Sequence, residues 1–228
     1  MKIMNNRTPI ATSAILIGAM LAASAWAWSK IPAGARIPIH WDIHGQPNGF
    51  ATSPTGLLVT PAIAAVIALV FAVIPVIEPR RLNLARSGKF YHAAWIGVVA
   101  LLAFIHGLTL YSMVYGGIAK GNYVFGAACI LFAVIGNYMG KTRSMFLGGV
   151  RTPWTLSSEY SWQRTNRLMG RLFVVSGMLG VVATLTLPLP LATETFICAI
   201  VAAVVVSLVM SYVFWRHDPE RDAENRPQ

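Results

Sequence analysis

Six long apolar stretches constrain the fold of this chain more than any other feature of its sequence. Each has at least 18 residues and contains no Asp, Glu, Lys or Arg. They are Ile10–Trp28, Leu57–Ile77, Ala93–Tyr115, Asn122–Met139, Leu172–Leu189 and Thr195–Trp215. About 20 mainly apolar residues in a helix cross the hydrocarbon core of a membrane, and continuous runs do not fit the alternating pattern of a transmembrane β-barrel. The sequence therefore predicts an all-α membrane protein, a six-transmembrane-helix bundle that forms a single transmembrane domain over residues 1–228.

The composition agrees with a membrane protein and argues against a soluble one. Of the 228 residues, 56% are hydrophobic and 11% are charged, whereas a soluble domain has about 25% charged residues to cover its surface. The net charge of +10 would suit nucleic acid. The basic residues lie between the apolar stretches, however, so we take the lipid bilayer as the partner and expect no direct nucleic-acid binding. Cys129 and Cys198 fall inside apolar stretches, which predicts neither a disulfide framework nor a zinc site.

The basic residues also predict an orientation. Of the 18 Lys and Arg residues, 15 lie in the N-terminal tail, the second and fourth loops, and the C-terminal tail. Cytoplasmic loops of membrane proteins carry the excess of Lys and Arg. We therefore predict a multi-pass membrane protein with both termini and the second and fourth loops in the cytoplasm.

The first apolar stretch has an alternative interpretation as a secretory signal peptide. Lys2 and Arg7 precede it, and residues 23–27 read ASAWA, which offers two A-x-A cleavage sites. Such a pattern is typical of signal peptides. Trp26 and Trp28 suit an anchor at the membrane interface, and the stretch is long for a signal. We therefore favour its retention as a first helix; cleavage would leave five spans.

The first loop, predicted to lie outside the cell, carries a compact group of polar residues within an outer-loop motif, residues 29–56. Residues 37–50 read IPIHWDIHGQPNGF, an extended segment followed by Gly, Pro and Asn-Gly turn signals. In a strand, His40, Asp42 and His44 would project to one side, where two imidazoles and a carboxylate could ligate zinc. We favour the alternative that they hydrogen-bond the loop onto the helix ends, and we predict no metal and no cofactor. The candidate outer-loop residues are His40, Trp41, Asp42, His44 and Gly45.

The fourth loop, predicted to be cytoplasmic, runs from Gly140 to Arg171. Its centre, residues 148–157, reads GGVRTPWTLS, a turn bounded by Gly and Pro in which Arg151 is a candidate for a specific ion pair or ligand contact. Ser157 is the predicted N-cap of an amphipathic helix that bends into the fifth span. Two stripes on this helix predict that it lies at the membrane interface with Trp at the headgroups. The stripes are Trp162, Asn166, Met169 and Phe173, and Arg164, Arg167 and Arg171.

His106 and Glu78 are ionisable residues in and at the end of apolar stretches. His106 is in the middle of the third stretch, where an ionisable residue is a functional candidate. We favour a neutral His that hydrogen-bonds across a helix interface. Glu78 follows the second stretch, and Arg80, Arg81 or Arg151 could pair with it.

The fourth loop and the stretch before it carry a recognisable signature. Residues 136–141 read GNYMGK, residues 149–156 read GVRTPWTL, and Trp162 and the segment RLMG at 167–170 follow. This pattern resembles the SdpI-like family of bacterial integral membrane proteins, with residues 116–215 as its core. The resemblance implies that the protein lies in the bacterial inner membrane. Residues 38–50 resemble a short domain of unknown function that often precedes that core. The signature residues that the resemblance implies for a ligand or partner are Asn137, Lys141, Arg151, Thr152, Pro153, Trp154, Thr155, Trp162 and Arg167.

Two positions depart from the pattern that is usual in this family. Met145 stands where the family usually has Asn, and Asn166 stands where His is frequent. A ligand or partner contact made by either residue would therefore be altered in this chain.

The resemblance also implies a function. It indicates a six-helix immunity protein and signal-transducing receptor for an antimicrobial peptide toxin outside the cell, which holds a transcriptional repressor at the membrane when toxin is present. The alternatives are a small transporter or exporter, and a metal-binding membrane protein. No inverted repeat favours a transporter. No G-x-S-x-G, H-E-x-x-H or paired intramembrane Asp occurs, so we predict that the protein is not an enzyme.

Overall fold

The computed structural model describes residues 4–117 and 121–220. In chain order these residues form α1 (Arg7–Trp28), β1 (Arg36–Trp41), β2 (Pro47–Thr52), α2 (Thr55–Ile77), α3 (Arg81–Arg86), α4 (Gly88–Tyr115), α5 (Gly121–Met139), α6 (Pro153–Ser157), α7 (Glu159–Thr186) and α8 (Leu189–Arg216). Six of these helices, α1, α2, α4, α5, α7 and α8, are long and apolar enough to cross a membrane. The prediction of an all-α, six-helix membrane bundle is confirmed. Four basic residues that entered the predicted orientation, Lys2, Lys120, Arg221 and Arg226, lie outside the described residues.

The amphipathic segment and the fifth span are parts of one helix. α7 continues without interruption over 28 residues from Glu159 to Thr186. Its N-cap is Ser158, whose hydroxyl accepts a hydrogen bond from Ser161 N at 2.9 Å. The predicted cap, Ser157, was one residue too early because that residue ends the short helix α6.

The six long helices pack in two groups that meet along α4 and α5. One group is α1, α2 and α4, and the other is α5, α7 and α8. Between α5 and α7 the backbones touch: a Cβ atom on Gly136 would lie 2.6 Å from Gly170 O, and one on Gly170 would lie 2.6 Å from Gly136 O. Residues without a side chain permit such close helix contacts in membranes.

The outward faces of the bundle are apolar. Leu69 of α2, Val201 of α8 and Leu185 of α7 are 64%, 56% and 82% exposed. Surfaces of this extent are rare on soluble monomers. In a bilayer the same side chains contact lipid, so the exposed apolar surface fits a membrane-spanning bundle.

The two strands form an antiparallel hairpin between α1 and α2, with Arg36 opposite Thr52 and Pro38 opposite Phe50. The predicted extended segment is therefore present as β1, which forms a two-stranded sheet with β2 in an otherwise helical structure. Ile37 is fully buried with Ala27, Leu57 and Leu110. We call this end of the bundle the hairpin end. The opposite end, which carries residues 140–158, is the loop end.

Candidate functional site

Glu78, the residue after α2, anchors the 140–158 loop. Its side chain is completely buried. The carboxylate accepts hydrogen bonds from three backbone amides: Arg80 N at 3.0 Å, Phe146 N at 3.1 Å and Leu147 N at 2.8 Å. A buried carboxylate is stable when such charge-assisted bonds replace its water. The loop is thus tied to the end of a transmembrane helix.

The predicted ion pair of Glu78 is wrong. Arg80 directs its guanidinium to Ser144 Oγ and to Leu156 O at 3.0 Å. Arg81 donates to Val76 O and Arg151 to Phe146 O, each at 2.5 Å. The backbone amides of Arg80, Phe146 and Leu147 supply the donors for Glu78 instead. A sequence does not reveal where backbone N–H groups point.

Trp162 lies in the core at the loop end, and its predicted position at the headgroups is wrong. It is fully buried in a cluster with Trp95, Tyr91 and Met145. Its indole Nε1 donates to Thr142 O at 3.2 Å. The loop covers this face of α7, which the helical periodicity alone presents as an open stripe.

Asn166 holds the turn that precedes Arg151. Its Oδ1 accepts from Val150 N at 2.8 Å, and its Nδ2 donates to Trp162 O at 3.0 Å. Gly149 packs against these two side chains with φ of 82°, a conformation that favours glycine. Asn166, one of the two departures from the family pattern, therefore shapes the backbone of the turn.

Thr152 and Thr155 hold the start of α6 in place. They form a reciprocal capping box at the start of α6: Thr155 N donates to Thr152 Oγ1 at 3.1 Å, and Thr152 N donates to Thr155 Oγ1 at 2.8 Å. Thr152 Oγ1 also bonds Ser211 Oγ of α8 at 3.1 Å. Both threonines are buried, so the loop is pinned to α8 as well as to α2.

The exposed part of the loop combines apolar and basic groups. Phe146 and Leu147 are 39% and 40% exposed, and Arg151 and Pro153 are exposed beside them in the chain. We call these four residues the loop surface. Trp154 turns away and makes an edge contact with Tyr212 of α8 at 5.1 Å between ring centroids.

Asn137, Lys141 and Arg167 are not brought to the loop surface. They line a separate cavity of about 600 Å³ between α5 and α7, together with Arg171. Gly136, Gly140 and Gly170 also line it. The signature residues predicted for partner binding therefore divide among the core, the loop surface and this basic cavity.

A second cavity, of about 370 Å³, lies between the hairpin and helices α2, α4, α5 and α8. We call it the hairpin cavity. Its walls are mainly apolar, and the polar groups come mostly from the hairpin. The predicted outer-loop residues that line it are His40, Trp41, Asp42 and Gly45.

The polar residues of the hairpin bond to each other rather than to the helix ends. Asp42 Oδ1 accepts from His44 N at 2.8 Å and from Gln46 N at 2.9 Å, which closes the turn. His40 Nδ1 lies 2.5 Å from Asn48 Oδ1. β1 ends at Trp41, so Asp42 and His44 are in the turn and do not continue a strand. Within residues 4–117 and 121–220, no three His, Cys, Asp or Glu residues are grouped to hold a metal ion.

Gly45 lies where the turn contacts the starts of α5 and α8. A Cβ atom on Gly121, at the start of α5, would lie 2.8 Å from Gly45 Cα. Leu189, at the start of α8, packs against the same glycine pair. The hairpin thus closes over the cavity by direct backbone contact with α5.

His106 lies between three helices of the first group. Its Nε2 is 2.9 Å from Ser24 Oγ and 3.2 Å from Met20 O, both on α1. Ser24 Oγ donates to Leu57 O of α2 at 2.7 Å. His106 is buried and does not line the hairpin cavity.

The sequence did not predict two buried contacts that hold the loop end. Glu78 was a candidate to pair with an arginine and instead holds the loop amides. Asp218 was not singled out at all, yet it is 4% exposed and accepts from Ser158 Oγ at 2.6 Å, at the start of α7. An acidic residue at the end of an apolar span, in a chain with so few acids, is the signal that marks both positions.

Two segments of the chain match models of known protein families. Residues 141–214 match the SdpI/YfhL protein family, and residues 15–65 match a domain of unknown function, DUF1648. The first match covers the loop, α6, α7 and most of α8, and the second covers most of α1, the hairpin and the first half of α2.

One curated relative is Immunity protein SdpI of Bacillus subtilis (strain 168). It is 25% identical to this chain over 176 residues, which are 77% of this chain and 79% of the relative. No solved structure matches the chain. The loop signature, the two matched segments and this relative together show a multi-pass membrane protein that is similar to the SdpI/YfhL family over residues 141–214.

Proposed function

We propose that this protein is an immunity protein that protects the membrane of its own cell against a membrane-active peptide, and that the peptide binds in the hairpin cavity. The cavity carries the proposal: an apolar space with His40 and Asp42 among its lining residues suits an amphipathic segment, because ligand sites are mostly apolar with a few polar groups. The name of the relative, an immunity protein, supports the same function.

The proposal places the hairpin end outside the cell and the loop end in the cytoplasm, in the bacterial cell membrane. Of the Lys and Arg residues that the structure describes, 12 lie at or near the loop end and two, Lys30 and Arg36, at the hairpin end. This asymmetry supports the orientation through the positive-inside rule. α1 is a retained span in this proposal, since Ser24 and Ala27 are buried against the other helices.

The loop surface is the reporting site in this proposal. α8 contributes Leu189 and Thr193 to the hairpin cavity, and its other end contributes Ser211 to the loop contacts. A peptide that shifts α8 would therefore displace the loop. The exposed Phe146, Leu147 and Arg151 then bind a cytoplasmic partner, which the resemblance described above suggests is a transcriptional repressor.

Filling the cavity tests the immunity function. Ala128 of α5 lines the hairpin cavity, whereas Ala127 lines a groove between α4 and α5. We expect wild-type protein in a sensitive bacterial host to raise the minimal inhibitory concentration of at least one member of a panel of purified membrane-active bacterial peptides. Ala128→Phe abolishes that protection, and Ala127→Phe, the same change on the next residue, preserves it. The immunity function is refuted if no peptide is resisted, or if both variants protect equally at equal expression.

Changing the loop surface tests the reporting role. With wild-type protein, addition of the resisted peptide changes a set of transcripts. Arg151→Ala is expected to remove that response while leaving survival unchanged, because the residue is far from the hairpin cavity. Arg143→Ala, which removes another exposed arginine, paired with Glu159, is the control and keeps the response. A response that persists in Arg151→Ala would contradict this role.

A further inference from the structure

The cavity between α5 and α7 has the chemistry of an anion site. Asn137 and Lys141 are four residues apart on α5 and the turn after it, and Arg167 and Arg171 are four residues apart on α7; all four line the cavity. Side chains at this spacing share one face of a helix. The helices are antiparallel and touch at Gly136 and Gly170, so the two pairs face the same space.

Among the described residues, no acidic side chain pairs with the three cations in this cavity. The ion pair found among the described residues joins Arg143 to Glu159, which lie elsewhere on the surface. The side chains of Lys141, Arg167 and Arg171 make no hydrogen bond or ion pair to another described residue. Three like charges around one space repel each other, and an anion between them reverses that interaction. Arg binds phosphate oxygens in a bidentate manner, and Lys and an Asn amide add further donors.

The rest of the cavity points to a lipid as the source of the phosphate. Gly136, Gly140 and Gly170 leave its floor without side chains. From the basic residues the cavity continues toward Val174 and Val175, one turn further into the apolar part of α7. Val175 is 55% exposed on the outward face of the bundle. A polar end rich in cations and an apolar end open to the hydrocarbon match a headgroup phosphate and an acyl chain.

We propose that this cavity binds one anionic phospholipid, with its phosphate held by Lys141, Arg167 and Arg171 and an acyl chain along Val174 and Val175. Basic pockets between transmembrane helices are known to take such headgroups. The site is separate from the hairpin cavity and the loop surface, and it does not depend on the proposed immunity function.

Lipid binding to the full-length purified protein tests this site. Native mass spectrometry measures retention of phosphatidylglycerol and of phosphatidylcholine. We expect one phosphatidylglycerol to be retained in preference to phosphatidylcholine. The double variant Arg167→Gln, Arg171→Gln lowers the affinity for phosphatidylglycerol at least about tenfold, since the loss of even one charge-assisted bond of roughly 1.4 kcal/mol is a factor of ten.

The control variant removes the same charge outside the cavity. Arg164 contacts the rings of Tyr160 and Phe214, and Arg216 bonds Tyr212. Arg164→Gln, Arg216→Gln is expected to retain the lipid as the wild type does, and Arg167→Lys, Arg171→Lys to keep most of the preference. Equal losses in both Gln variants would show a general charge effect and overturn the site.

Two further outcomes would overturn the proposal. Equal retention of phosphatidylglycerol and phosphatidylcholine would show that the negative charge of the headgroup does not determine binding. Displacement of the lipid by millimolar inorganic phosphate would assign the cavity to free phosphate. All comparisons use variants that elute as the wild type does, so that a folding defect is separated from a loss of binding.

Discussion

Replacement of Glu78 by Gln keeps the volume of the side chain and should release the 140–158 loop. The carboxylate accepts from the amides of Arg80, Phe146 and Leu147. Gln keeps one acceptor oxygen and places an NH₂ group against an amide donor, so at least one charge-assisted bond is lost and the others become neutral. A hydrogen bond to a charged group contributes about 1.5–3 kcal/mol and a neutral one about 1 kcal/mol. We therefore expect the free energy of local opening to fall by about 3 kcal/mol.

Amide hydrogen exchange at Phe146 and Leu147 measures this change directly. A loss of about 3 kcal/mol accelerates exchange roughly 100-fold, because each 1.4 kcal/mol is a factor of ten in the opening equilibrium. Glu159→Gln is the matched control. Glu159 pairs with Arg143 at 3.4 Å, and both side chains are more than 40% exposed. An exposed pair contributes at most about 1 kcal/mol, so exchange in this variant should rise no more than about fivefold.

Equal exchange rates in Glu78→Gln and Glu159→Gln would refute the anchoring role. The same conclusion would follow if Glu78→Gln accelerated exchange throughout the protein, since global unfolding would then replace local release. The anchoring account requires that protection falls in the loop and remains in α5.

Two other predictions concern packing and orientation. Gly136→Ala should lower the thermal unfolding midpoint, because its Cβ would lie 2.6 Å from Gly170 O and relief of such overpacking costs about 1–3 kcal/mol; Gly107→Ala, with no atom within 4 Å of the new Cβ, should not. Equal midpoints would contradict the close α5–α7 contact. A membrane-impermeant maleimide should label Gln46→Cys in intact cells and Ser157→Cys only after permeabilisation. The reverse pattern would invert the proposed orientation.

The helices could be predicted from the sequence because their signal is local. The six apolar stretches correspond to α1, α2, α4, α5, α7 and α8, and β1 corresponds to the predicted extended segment. The second strand was not predicted: Pro47, Asn48 and Gly49, taken as turn residues, lie in β2. The boundaries differ most at α7, which starts at Glu159 rather than Leu172. The buried polar residues there include Ser161, which bonds Ser211 O of α8, and Asn166, which bonds Val150 N of the loop.

The contacts of the site could not be predicted because they depend on backbone direction and on covering segments. Glu78 accepts hydrogen bonds from the amides of Phe146 and Leu147, which lie 68 and 69 positions further along the chain. No local sequence pattern indicates these bonds. Trp162 looked interfacial by its periodicity but is covered by the loop. His40, Asp42 and His44 were spaced for one face of a strand, yet the strand ends at Trp41. In each case tertiary structure determined which side chains meet.

A site-specific crosslink tests the central claim that the peptide binds in the hairpin cavity. Phe125 of α5 lines that cavity, and Phe104 of α4 lines the groove between α4 and α5. Each is replaced in turn by a benzoyl-phenylalanine photocrosslinker in cells that express the protein, and the peptide that the protein resists is added before illumination. We predict a crosslinked adduct at position 125 and none at position 104. An adduct at both positions, or at position 104 alone, would contradict the binding of the peptide in the hairpin cavity.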